Sequence, residues 1–276
     1  MNALQRTLIE KAGHDNGFEH VLSSDERHVA LASARHPAQV HVTALWPGFE
    51  VRIQSVPATL AQELARTFAD QGGDARQAFS LPTEAALARW LRRAATLSQA
   101  LPNQAVMAFE QQVQAELSAM ALSAVQNTEV LRMVRQRVGQ QAYRQAMLDY
   151  WGGACAVTGL ALPQALRASH AKPWAECTTD AERLDVYNGF LLSANLDALF
   201  DSFLISFTDD GQLLVSDQIA QSDRERLGLD ASMRLRWMAA PHKAYLEFHR
   251  HRFATQDLEQ NAHPVHRIDN ANCDDI

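Results

Sequence analysis

A chain of 276 residues with 47% hydrophobic and 21% charged residues has the composition of a soluble globular protein and room for about two domains. It has no run of about 18 or more apolar residues, so no membrane-spanning helix is expected. The net charge of −7 argues against a protein that coats nucleic acid, and three widely spaced cysteines, Cys155, Cys177 and Cys273, make neither a disulfide framework nor a paired zinc motif.

The first segment, Met1 to Lys11, is charged and amphipathic and lacks the apolar stretch of a secretory signal, so a cytoplasmic location and no membrane partner are expected. Around His28–Ala32, Gln39–Thr43 and Glu50–Gln54 apolar and polar residues alternate, as in half-buried strands. His36-Pro37 and Trp46-Pro47-Gly48 punctuate them as turns. A helix over Ala58–Ala69, with Pro57 near its start, closes this small antiparallel sheet, and Gln71-Gly72-Gly73-Asp74 reads as a loop. Residues 1–80 are therefore expected to form a small mixed α/β domain for recognition or interaction.

Two helices follow, over Thr83–Ala100 and Asn103–Ser123. Leu87, Trp90, Leu91, Ala94 and Leu97 make an apolar stripe on the first. Residues 81–126 read as a helical connector. Asn127 can cap a further helix running from Thr128 to Trp151 and ended by Gly152-Gly153. Cys155–Gly159 reads as a short strand with a turn, with Cys155 as a small buried apolar residue. Leu166–His170 reads as a second strand. A loop then leads to Asn188-Gly189, and a helix follows that carries Asp197 and Asp201. A hairpin is expected around Asp209-Asp210-Gly211, a short helix from Ser222, a helix over His242–Phe253 and a tail at 256–276. Of the C-terminal histidines, His242 and His249 share a helix face, and packing explains them better than metal binding.

Charge is distributed unevenly. Between Gln126 and Ala175 six Lys or Arg stand against two acids, whereas between Glu176 and Asp230 twelve acids stand against three arginines. A basic stretch beside an acidic one suits a site that holds both a phosphate backbone and a cation. The chemistry concentrates in Arg167-Ala-Ser-His170-Ala-Lys172-Pro-Trp174, Tyr187-Asn188-Gly189 and Asp197-Ala-Leu-Phe-Asp201. A neutral imidazole near pH 7 can take a proton from water. Two carboxylates at i and i+4 share a helix face and can hold one divalent ion, and oxygen ligands favour Mg²⁺ or Mn²⁺. The Asn188 side chain can bind backbone across the loop and keep His170 in register. Arg167, Lys172, Arg137 and Arg144 are candidates for DNA phosphate contacts.

From Gln136 to Asp201 these motifs together resemble the bacterial HNH endonucleases of the SHIxPW…NGLxLxxxxDxLFD type, and the resemblance extends over about residues 127–253. It implies a ββα-metal nuclease domain at 127–255 with flanking helices, in an α+β chain overall. By position it makes His170 the general base, Asn188 the central asparagine, and Asp197 and Asp201 the metal ligands. Ser169 stands where many relatives carry a first metal ligand, and Phe203 stands where this subgroup often has glycine, which implies a different local geometry after Asp201. The cysteine pairs that hold structural zinc in some relatives are absent, so no structural zinc is expected.

The resemblance implies a metal-dependent endodeoxyribonuclease using Mg²⁺ or Mn²⁺, acting in restriction or defence against foreign or modified DNA. Its partner is DNA, and a double-strand cut from one site per chain favours a homodimer. Two other readings stand beside it: an HNH-like module that binds DNA or protein with little turnover, and a toxin nuclease.

Overall fold

The computed structural model describes residues 1–54, 58–71, 78–102, 104–120, 128–230 and 232–262. Pro57, the loop at 72–74, the Asn127 cap, Cys273 and residues 263–276 of the expected tail lie outside them, whereas residues 256–262, also expected as tail, continue the last helix. The chain divides into two compact units: Met1–Gly153 with Thr178–Val186, and Ala154–Cys177 with Tyr187–Ile276. Among the described residues no helix is long and apolar enough to cross a membrane.

Unit 1 opens with helix α1 (Ala3–Asp15), capped by Asn2 in a reciprocal capping box with Gln5. A five-stranded antiparallel sheet follows in the order β1 (His20–Ser24), β2 (Val29–Ala32), β3 (Gln39–Leu45), β4 (Gly48–Gln54) and β5 (Ala78–Leu81). The three central strands fall where strands were expected, although β2, Val29–Ala32, is apolar and buried throughout and does not alternate. The edge strands β1 and β5 were not evident from alternation. β1 is exposed along its whole length and its register with β2 slips between Val21 and Ser23, so it carries no alternation to read.

The helices of unit 1 are α2 (Ala58–Thr67), α3 (Glu84–Ala100), α4 (Gln104–Ser118), α5 (Thr128–Trp151) and the short α6 (Asp180–Arg183). Thr83 caps α3 by accepting from the amide of Ala86. Its stripe of Leu87, Trp90, Leu91, Ala94 and Leu97 is buried, with the Trp90 ring 5.1 Å from that of Phe79. A helix expected as a connector is thus the centre of the core, because α3 packs on the sheet and on α1, α2, α4 and α5. Helix α5, expected to open the C-terminal domain, packs against α3 and α4 and groups with unit 1. Arg93 fixes its end by donating to the carbonyls of Asp149 and Tyr150 at 2.5 and 2.7 Å. Gly152 and Gly153, both at positive φ, let the chain turn there, and the Gly153 amide bonds back to the Leu148 carbonyl.

Unit 2 contains the antiparallel pair β6 (Leu166–His170) and β7 (Gly189–Ser193), then helix α7 (Ala194–Asp201). A second hairpin, β8 (Ile205–Phe207) and β9 (Leu213–Val215), precedes α8 (Gln221–Arg226) and α9 (His242–Ala262). The expected strand at 155–159 is instead a turn. The Gly159 amide bonds to the Cys155 carbonyl, and the Cys155 sulfur accepts from the amides of Thr158 and Ser193 at 3.4 and 3.3 Å, which curls the segment instead of extending it. Mixed α and β structure with antiparallel sheets thus holds for the chain as a whole.

Candidate functional site

The site residues of unit 2 are set by one hairpin and one helix. β6 and β7 pair in register from Leu166 opposite Ser193 to His170 opposite Gly189. His170 therefore ends its strand across from a residue without a side chain, and Gly189 takes φ +148°, a conformation that L side chains rarely adopt. α7 follows β7 directly and packs on both strands. Its inward residues Leu196 and Phe200 are fully buried, whereas Asp197 is half-buried and Asp201 exposed.

Asn188 is wholly buried just before β7. Its side-chain oxygen accepts from the Lys172 amide at 2.8 Å, and its side-chain nitrogen donates to the Lys172 carbonyl at 3.2 Å. The Ala171 amide donates to the Asn188 carbonyl at 3.2 Å. One asparagine thus satisfies the backbone of the chain leaving His170 on both sides, as a paired strand would. The half-buried His170 ring stands edge-on to Trp174, with centroids 5.7 Å apart.

The hairpin and the helix meet at a polar contact. The Ser169 hydroxyl, 1% exposed, donates to Oδ1 of Asp197. Asp201 lies one turn further along α7. Its pKa is pushed up to about 6, first by desolvation and then by the negative charge of Asp197. Asp201 is exposed, so solvent screens part of this effect.

The C-terminal end of α7 is held by a residue whose part was not legible in the sequence. His249 of α9 lies flat on Phe200, with centroids 3.8 Å apart and planes 7° apart. Its Nε2 lies 3.0 Å from the Phe200 carbonyl and its Nδ1 3.0 Å from the Ser206 hydroxyl. A carbonyl can only accept, so Nε2 carries the proton and Nδ1 accepts from Ser206. Burial pushes this imidazole down to about 4 and keeps it neutral. His242 stacks likewise on Phe190 at 5.4 Å. Both histidines are core residues. Phe203, just after α7, sits at φ +53° with its ring 4.8 Å from that of His249. The turn thus takes the left-handed form that glycine favours, with phenylalanine in place.

Cys155 has a polar part that a small apolar residue would lack. Burial would push its thiol up, but hydrogen bonds from the side chain and amide of Thr158 and from the amides of Val157 and Ser193 outweigh this and hold it below its ordinary value. The sulfur ties the turn at 155–159 to the start of α7.

The basic candidates are dispersed. Arg167 is exposed, and its guanidinium donates to the carbonyls of Gln164 and Leu166, both at 2.9 Å. The Lys172 ammonium lies over the Phe248 ring at 5.9 Å. Arg137 and Arg144 lie on α5 in unit 1, where Arg137 pairs with Glu116 of α4. His170, Asn188, Asp197, Asp201, Arg167 and Lys172 all belong to unit 2.

Among the described residues no group of three or more His, Cys, Asp or Glu is arranged to hold a metal ion. Asp197 and Asp201 are a two-carboxylate set with mutual repulsion that a cation would relieve. That suits Mg²⁺, which is commonly held by one or two carboxylates together with water and substrate phosphate, better than a closed zinc cage.

Residues 155–208 match the family model described as HNH endonuclease. A comparison with curated proteins finds no match. The matched segment runs from the Cys155 turn past β8 and contains His170, Asn188, Asp197 and Asp201. It implies nuclease chemistry on nucleic acid, and it covers the central part of the resemblance read from the sequence.

Proposed function

We propose that this chain, with its HNH endonuclease match at residues 155–208, is a metal-dependent endonuclease that hydrolyses DNA phosphodiester bonds. The observation that carries the reading is the meeting of the two halves of the motif: β6 bears Ser169 and His170, and its Ser169 hydroxyl bonds to Asp197 on the helix that also bears Asp201.

In this reading His170 is the general base. Its imidazole takes a proton from the attacking water as the new P–O bond forms and the bond to the leaving 3′ oxygen breaks. Asn188 holds the loop after His170, so that the ring keeps one position. Asp197 and Asp201 hold the cation, Mg²⁺ or Mn²⁺, which when bound neutralises charge on the phosphate and the leaving oxygen. Lys172 and Arg167 contact flanking phosphates, and Arg137 and Arg144 on α5 of unit 1 are candidates for DNA phosphate contacts of their own. We place the activity in restriction or defence against foreign or modified DNA, with residues 1–80 as the recognition or interaction part. A five-stranded sheet that lies outside the matched segment in sequence supports a recognition part.

The test is nicking of supercoiled plasmid with Mg²⁺ or Mn²⁺. The wild-type chain is expected to cut, and His170→Ala to lose about 10²–10⁴-fold in rate while remaining folded. Cleavage unaffected by that substitution would overturn the assignment of the base. Binding of DNA without metal-dependent cutting would favour an HNH-like binding module instead. Parallel assays on modified and unmodified DNA test the proposed setting.

A further inference from the structure

Ser169 stands one residue before the proposed base, on the strand that α7 covers. It is a serine in a position almost closed to solvent, 1% exposed, and its hydroxyl donates to Oδ1 of Asp197. A buried hydroxyl costs stability unless it finds a partner, and a carboxylate is the strongest partner open to it. The contact therefore joins two elements and fixes the rotation of one carboxylate.

We infer that Ser169 is a positioning residue that presents Asp197 to a divalent cation; this rests on the reading of Asp197 and Asp201 as the cation site. A carboxylate has two oxygens. With Oδ1 taken by Ser169, Oδ2 is the oxygen turned to the cation, and the side chain does not have to be ordered when the ion arrives. The Ser169 proton is committed to Asp197, so Ser169 acts through that carboxylate and not as a ligand in its own right. The arrangement also accounts for a site that works with two carboxylates: a hydroxyl that anchors one of them stands in place of a further charged ligand.

The experiment measures Mn²⁺ binding to the full chain by electron paramagnetic resonance and by calorimetric titration, with no nucleic acid present. Wild type is compared with Ser169→Ala, Ser169→Thr and Asp197→Asn, each checked for folding by circular dichroism. Ser169→Ala is expected to weaken Mn²⁺ binding about 10-fold or more, and Ser169→Thr, which keeps the hydroxyl, to stay within about threefold of wild type. Asp197→Asn is expected to abolish binding. Alanine is smaller than serine and fits the buried position, which makes it the decisive variant if threonine disturbs the fold. Equal Mn²⁺ affinity in wild type and Ser169→Ala, with loss in Asp197→Asn, overturns the role of Ser169 and leaves the cation site standing. A wild-type chain that takes up no Mn²⁺ overturns both.

Discussion

The core of unit 1 is closed by apolar side chains such as Phe79, Leu87, Trp90, Leu91 and Leu97. In unit 2 the phenylalanines Phe190, Phe200 and Phe207 share their core with buried Ser169, Asn188, Ser206, His242 and His249. Unit 1 also buries polar side chains, and some of these join separate elements: Asn16, at the end of α1, accepts from Arg92 of α3, and His36 bonds the Gly17 carbonyl. The buried polar groups of unit 2 converge on the hairpin and α7. Ser169 reaches Asp197, Asn188 braces the chain after His170, and His249 holds the Phe200 carbonyl. An apolar core is tolerant of position, because hydrophobic burial is non-directional. Hydrogen bonds are directional, so a polar core fixes where particular side chains stand. The difference fits one unit built mainly to be stable and another built to hold a site.

The comparison can be broken first at its apolar end. Trp90→Ala removes a fully buried ring between α3 and the sheet, and a loss of about 3–5 kcal/mol is expected in chemical denaturation. A loss under about 1 kcal/mol would mean that the core of unit 1 is looser than its packing indicates.

Asn188→Ala is the counterpart in unit 2. It strips partners from the amide and carbonyl of Lys172, and about 1–3 kcal/mol of stability should go with them. Plasmid nicking should fall about tenfold or more in chain that is still folded at the assay temperature. Reduced stability with full activity would show that the brace serves the fold alone.

The finest test is pH. The folded-state pKa of His249 is pushed down to about 4, below the ordinary value of 6.5. The unfolded chain therefore binds more protons between those values. Stability from His249 is complete above about pH 6.5, falls as the pH drops toward 4, and levels off below that, with a slope of at most about 1.4 kcal/mol per pH unit. The buried His36 of unit 1 is lowered by desolvation as well, so part of any acid slope belongs to it. Thermal unfolding of wild type and His249→Gln across this window separates the two. The variant should show the shallower slope, and identical slopes would remove His249 from the account.

Much of the candidate site's local structure was legible because its signals are local. The histidine at a strand end, the Asn-Gly pair and two aspartates four apart each follow from spacing along a strand, a turn or a helix. The central strands of unit 1 and the α3 stripe were legible for the same reason. The edge strands β1 and β5 were not: β1 is exposed along its whole length and has no period to detect, and β5, with Phe79 and Leu81 buried, is only four residues long. The turn at 155–159 read as a strand because apolar residues surround it, yet the sulfur of Cys155 bends it.

The amino-acid sequence by itself determined most of the helices, the central strands and the kind of chemistry, since these depend on residue type at short spacing. Only the tertiary structure decided which unit each element joins, as with α5, which packs on α3 and α4 and groups with unit 1. It alone paired Ser169 with Asp197, 28 residues apart, and set His249 beneath Phe200, 49 residues apart. Contacts at such separations depend on how the strands register and how the helices pack, and no local pattern records them.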